Sequence, residues 1–224
     1  MRELDFLYLD ETIELEKNTM YTFVIENKKA LYEIEKFVRF EFSGNDYYFS
    51  YKINGKPIEL DATAIVIDDV FALDVNTKKN INALYKMLSG MYGYKAEEEI
   101  EHVKDKIRQI VKEISLDLDI ELMMSETVKD DDLFKIMDLK IKDTDGEPIK
   151  RLTNFINISY ELRKCTLFFV FRLHEYFEKD EIEAMVREIA YKNIRIINIE
   201  SSNVFEKIEE EQVVIYDNDL CTIR

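Results

Sequence analysis

A chain of 224 residues can bury a real core as one large domain or two small ones, and an apolar content of 46% excludes a disordered chain. The formal net charge of −16 excludes a uniformly basic nucleic-acid surface, leaving a local basic lining as the only route to phosphates. The start, MRELDFLYLDETIELE, is acidic and lacks a signal peptide's apolar core, and no run reaches membrane-spanning length, so a cytoplasmic protein is expected.

Residues 4–15 begin in short alternation (Leu4, Phe6, Tyr8) and read as a strand with a turn near Asp10. MYTFVI at 20–25 is a second strand, and 28–40 has helical spacing through Leu31, Ile34, Phe37 and Val38, ended by Gly44 and Asn45. Residues 47–53 alternate. Asn54-Gly55 is a strong hairpin signal, with 57–60 as the return strand and AIVI at 64–67 as a buried one. Asn76 or Thr77 then offers a helix N-cap.

The character changes there. Residues 78–92 are amphipathic through Ile81, Leu84, Tyr85, Leu88 and Met91, and 97–116 form a long helix with an acidic start. A shorter periodic run covers 130–141, and DTDGEP at 143–148 marks a boundary. Residues 150–164 are again helical. They lead into TLFFVF (166–171), a helix over 179–192 with Ile182, Met185, Val186 and Ile189 on one face, and IRIINI (194–199): a strand–helix–strand unit of parallel strands. Residues 212–216 make a last strand. The expected architecture is an α/β head from 1–76 and 146–224 with a helical insertion at 77–145.

Ligands of open α/β sheets bind beyond the carboxyl ends of the strands, which here carry Arg172, His174 and Glu200. None of the glycines lies in a phosphate-cradling loop, so nucleotide hydrolysis by the P-loop route is not expected. His102 on a charged helix face reads as solvated. His174 has Glu175 beside it but no Ser or Cys nucleophile motif nearby, and no catalytic residue is assigned. Cys165 and Cys221 have neither metal nor redox spacing and read as reduced thiols.

Asp117, Asp119 and Glu121 alternate, with Glu126 and Asp130, Asp131 and Asp132 further on, and no Lys or Arg lies between 114 and 128. In an extended segment the alternating carboxylates point to one side and make an all-oxygen pocket for calcium or magnesium; in a continuing helix they are a solvated face. Basic residues come in pairs near predicted helix ends: Lys28-Lys29, Lys78-Lys79, Lys150-Arg151 and Arg163-Lys164. If they converge they can track phosphates without reading bases, whereas spacing alone favours scattered surface charge.

In order along the chain, TFVIENKKALYEI (22–34), DDVFALDVN (68–76), SLDLDIEL (115–122), LFKIMDLKI (133–141), the strand–helix–strand unit and VVIYDNDLC (213–221) together resemble the ring-forming type II-A CRISPR-associated spacer-acquisition family. The resemblance implies a head of P-loop-like topology without a working nucleotide site and an inserted helical leg. It also implies a homotetrameric ring that encircles double-stranded DNA from a free end, without sequence preference or catalysis, beside the integrase pair and the effector nuclease of adaptation. It implies Ca2+ held by Asp117, Asp119 and Glu121, with Glu126 and Asp130 as further candidates. The basic pairs remain the DNA-binding candidates from the residues alone. Two other classes stay open: a metal-dependent nuclease using the Asp117–Glu121 carboxylates, and an adaptor whose acidic surface meets a basic partner.

Overall fold

The computed structural model describes residues 1–6, 11–17, 19–41, 49–92, 97–116, 123 and 130–223. They form two compact units: 1–75 with 143–224, and 76–142.

The first unit is mixed α/β. Six strands form a mostly parallel sheet: β3 (Met20–Ile25), β6 (Ala64–Ile67), β7 (Leu167–Phe171), β8 (Arg195–Glu200), β9 (Glu211–Tyr216) and β10 (Thr222–Ile223), in the order β10-β9-β3-β8-β7-β6. Only β10 runs antiparallel to its neighbour. Every residue of β3, β7 and β8 is buried. Both faces of a parallel sheet are covered, which is why these strands are mainly apolar, with Thr22, Arg195, Asn198 and Glu200 as buried polar exceptions. A second, antiparallel sheet has the order β2-β1-β4-β5, from β1 (Arg2–Phe6), β2 (Glu11–Glu14), β4 (Phe49–Ile53) and β5 (Lys56–Ile58). Residues 4–15 are therefore two strands, not one. Asn54 and Gly55 join β4 to β5 with φ of 52° and 75°, as a tight hairpin turn requires.

Tyr21, Phe23 and Ile25 of β3, Phe169 and Phe171 of β7, and Ile197 and Ile199 of β8 share one core with Leu4, Phe6, Phe49 and Tyr51 of the antiparallel sheet. Helix α1 (Lys28–Lys36) and the π-turn that extends it (Phe37–Glu41) close that core through Ile34, Phe37 and Val38. On the opposite face of the parallel sheet, Val186 and Ile189 of α8 (Lys179–Ala190) line a small cavity with Met20 and Ile196. Helix α6 (Pro148–Arg163) lies beside α8. Two one-turn helices, α2 (Leu60–Thr63) and α7 (Leu173–Tyr176), serve as connections.

The second unit is helical in its described residues: α3 (Lys78–Tyr92), α4 (Glu97–Ser115) and α5 (Asp130–Ile136). Asn76 ties its two ends, donating to the Ile141 carbonyl at 3.0 Å and accepting the Ile141 N–H at 2.8 Å. No helix among the described residues is long and apolar enough to cross a membrane. Cys165 is buried and Cys221 is exposed, and neither is in a disulfide among the described residues.

Candidate nucleic-acid interface

Of the carboxylates proposed for a cation, Asp117, Asp119, Glu121 and Glu126 lie outside the described residues, and Asp130 is placed only as the first residue of α5. The basic pairs can be placed. Lys28 and Lys29 open α1, Lys78 and Lys79 open α3, and Lys150 and Arg151 sit in the first turn of α6. None of the three helices has an acidic residue in its first turn. Cations at a helix N-terminus oppose the dipole and cost about 0.3–1 kcal/mol each. Helix stability therefore does not account for three such pairs in an acidic chain. The fourth pair, Arg163 and Lys164, follows the ordinary rule: it closes α6 at the negative end, with Lys164 as a left-handed C-cap (φ 56°).

Lys28, Lys29, Lys78, Lys79, Lys150 and Lys164 are exposed. Lys150 pairs with Glu147 at 3.0 Å, and Lys164 lies 3.7 Å from Glu161. Arg151 is half-buried; it donates to the Leu73 carbonyl at 3.0 Å and lies 3.7 Å from Asp143. Those contacts anchor it beyond the carboxyl end of β6, on the edge of the sheet where α1 also begins. The pairs 150–151 and 163–164 are about 20 Å apart along α6, so the structure does not bring them into one patch.

At the carboxyl edge the connection from β3 to α1 is only Glu26 and Asn27. The Asn27 side chain accepts the N–H groups of Lys29 at 3.1 Å and Ala30 at 3.0 Å. The donors that a phosphate loop would present are thus already used. Arg172, held at φ 57°, pairs with Glu35 at 2.7 Å, and Arg39 lies 3.6 Å from the same carboxylate with its guanidinium 4.1 Å above the Phe171 ring.

His174 and Glu200 belong to a buried polar network that the sequence reading did not assemble. Glu211 Oε1 accepts the Thr22 hydroxyl and lies 2.9 Å from His174 Nε2, while Oε2 accepts the Ile208 N–H at 3.1 Å. Asn198 donates to Glu200 at 2.9 Å and to Thr22 at 3.3 Å, and the His174 N–H donates to Glu200 at 2.9 Å. The His174 ring stacks on Phe205 at 3.9 Å. Thr22 and Asn198 are each 0% exposed and the side chains of His174 and Glu211 are 4% and 0% exposed. Closed to solvent, the network fastens α7 and residues 205–208 to β3, β8 and β9. The legible signal was a polar residue inside a strand buried on both faces, Thr22 in MYTFVI and Asn198 in RIINIE, because such a group must find a partner.

Burial pushes the Glu200 carboxyl above its ordinary value of 4.5 and the Glu175 charge adds to this, against the opposing Asn198 and His174 hydrogen bonds. A raised folded-state value means that the folded chain holds this proton more tightly than the unfolded one. Its contribution is complete below about pH 4.5 and is lost as pH rises through the folded value. Glu200→Gln removes this titration but keeps an acceptor oxygen. The variant is expected to gain melting temperature relative to the parent as pH rises above 4.5. Melting curves between pH 4 and 8 check it, and parallel profiles would refute it.

The model of the CRISPR-associated protein family Cas_Csn2 matches residues 41–220. Among solved structures, a protein described as the ATP-binding protein of an ABC transporter from Pyrococcus furiosus is 13% identical over 95% of this chain and 96% of its own, with a TM-score of 0.42. No curated protein matches the chain.

Proposed function

This chain belongs to the CRISPR-associated Cas_Csn2 family, and we propose that it acts in spacer acquisition as a non-catalytic ring that binds double-stranded DNA without sequence preference. The reading gives it a P-loop-like head (1–76 and 146–224) without a nucleotide site and a helical leg (77–145). The observation that carries the DNA reading is the placement of Lys28-Lys29, Lys78-Lys79 and Lys150-Arg151 in the first turns of three helices. A phosphate paired with the basic side chains at each would offset the unfavourable dipole pairing, with no base readout.

Self-assembly into a homotetramer is supported by α4. Its covered face is Ile100, Lys104, Arg108, Val111 and Ser115, yet Val103, Ile107, Ile110 and Ile114 are 44–56% exposed. At about 100° per residue these four form one continuous stripe beside the covered face, the seam that a second helix would fill. The integrase pair and effector nuclease of adaptation are the proposed partners beyond the ring.

Ca2+ is the proposed ion. The donors Asp117, Asp119, Glu121, Glu126 and Asp130 are all carboxylates, and no Lys or Arg lies between 114 and 128, a donor set that suits a hard cation. When bound, calcium would cancel part of the repulsion within that run.

The test is a mobility shift on linear and closed-circular duplexes of equal length, in calcium and in chelator. The expected result is a shift of the linear duplex only, lost in chelator and in Asp119→Ala. Affinity should fall by at least about tenfold between 50 and 200 mM salt, and the doubly substituted Ile107→Asp, Ile110→Asp protein should sediment as a smaller species. Equal binding of both duplexes would overturn the ring. Cleavage of the linear duplex in magnesium, abolished by Asp119→Ala, would overturn the non-catalytic reading in favour of a nuclease.

A further inference from the structure

Arg195, the first residue of β8, is 3% exposed, and no carboxylate lies within ion-pair distance of it among the described residues. Its Nη1 donates to the Asn193 carbonyl at 2.6 Å and side-chain oxygen at 2.8 Å, and its Nε to the Leu15 carbonyl at 3.4 Å. Its Nη2 has no partner among the described residues. Burial lowers the proton affinity of this guanidinium, and the charge that lowers it further is that of Arg2, a second cation. Arg2 in turn donates to the Thr166 hydroxyl at 2.9 Å and makes no ion pair among the described residues. The usual rule is that a buried charge is paired. Here two guanidiniums are neighbours instead.

Both arginines line a cavity of about 360 Å³ at the amino edge of the parallel sheet, together with Lys17, Asn193 and the exposed residues Glu14 and Glu16. Glu14 and Glu16 are exposed, and neither pairs with Arg195 or Arg2. Close to Arg195, the hydroxyl of Tyr51 is buried with no hydrogen-bond partner. Asn193 is held at φ 59°, which turns both its backbone and its side-chain oxygen onto one nitrogen of Arg195 and leaves the other end of the fork free. The forked, flat guanidinium suits a tetrahedral oxyanion in a way that a lysine does not.

We propose that this cavity is a phosphate-group site in which Arg195 and Arg2 grip the oxyanion and Lys17 screens its outer charge. The site is on the opposite edge of the sheet from Lys28-Lys29 and Lys150-Arg151, and it does not depend on the ring reading. The shared chemistry has two sources, a free phosphate or nucleotide and the terminal phosphate of a DNA end.

The experiment measures the melting temperature of the full chain in sodium phosphate against sodium chloride of equal ionic strength. It is paired with competition binding of a 5′-phosphorylated and a dephosphorylated duplex. Phosphate at saturation should raise the melting temperature by about 3–6 °C over chloride. Arg2→Gln, a substitution in a half-buried residue, should remove the rise, and Arg195→Lys should reduce it. If the phosphorylated duplex binds at least about fivefold tighter and Arg2→Gln abolishes the difference, the source is a DNA end. A rise with free phosphate and no preference between the duplexes identifies a free anion. No difference between phosphate and chloride, together with no duplex preference, overturns the site. A rise that Arg2→Gln leaves intact overturns it as well.

Discussion

Glu211→Ala is expected to destabilise the fold by about 3–5 kcal/mol, read as a lower urea midpoint with an unchanged slope. Among the described residues, Glu211 is the acceptor shared by the Thr22 hydroxyl, His174 Nε2 and the Ile208 N–H. Alanine leaves all three buried, and each unmet group costs roughly 1–3 kcal/mol. The space left behind is lined by polar atoms, so a water can enter and recover part of the loss, which sets the upper bound. Glu211→Gln keeps one oxygen for Thr22 and His174 but turns an amide toward the Ile208 N–H. Its cost should therefore be smaller, about 1–2 kcal/mol. Equal losses for the two variants would show that the charge, not the acceptor geometry, holds the network together.

This network explains which parts of the chain could be read in advance. The strand–helix–strand unit was legible because both of its signals are local: the short, mainly apolar runs TLFFVF and IRIINI, and an apolar 3.6-residue period in α8. The Asn54-Gly55 hairpin was legible for the same reason, since its φ values are a property of those two residues. The pairing of β1 with β4 was not, because Leu4 meets Tyr51 across a sequence separation that no periodicity reports. Nor was the insertion of β3 between β8 and β9. A parallel neighbour is chosen by which buried faces fit, and the central strands here are all mainly apolar, so their composition does not single out a partner.

Site residues divided along the same line. The basic pairs were visible as sequence, but their meaning came from the helix ends on which they sit. Lys28-Lys29, Lys78-Lys79 and Lys150-Arg151 oppose the dipole, while Arg163-Lys164 complements it. His174 was visible as a histidine near a strand end, whereas its partner Glu211 comes from a strand that follows another loop, so nothing in the sequence joined them. In the sequence, Arg195 is one charge within IRIINI and was not singled out. Only its burial next to Arg2 shows that the charge lacks a counter-ion among the described residues.

Phe6→Ala should cost about 3–5 kcal/mol, because Phe6 is the joint between the two sheets of the α/β unit. Its ring is 0% exposed and stacks on Phe49 of the same sheet at 4.3 Å. It also meets Phe23 at 5.6 Å and Tyr216 at 6.0 Å, both from the parallel sheet. Truncation removes transfer energy and opens a cavity that strands on both sides resist closing, since each is fixed by its own ladder. Phe6→Leu fills most of that volume and should cost only about 1–1.5 kcal/mol. As a reference, Tyr191→Ala removes an aromatic ring that is 96% exposed and should stay within about 0.5 kcal/mol of the parent. Chemical denaturation followed by near-ultraviolet circular dichroism reads the aromatic core directly. A Phe6→Ala loss below about 1 kcal/mol would mean that the antiparallel sheet is only loosely attached. The core would then belong to the parallel sheet and its helices alone.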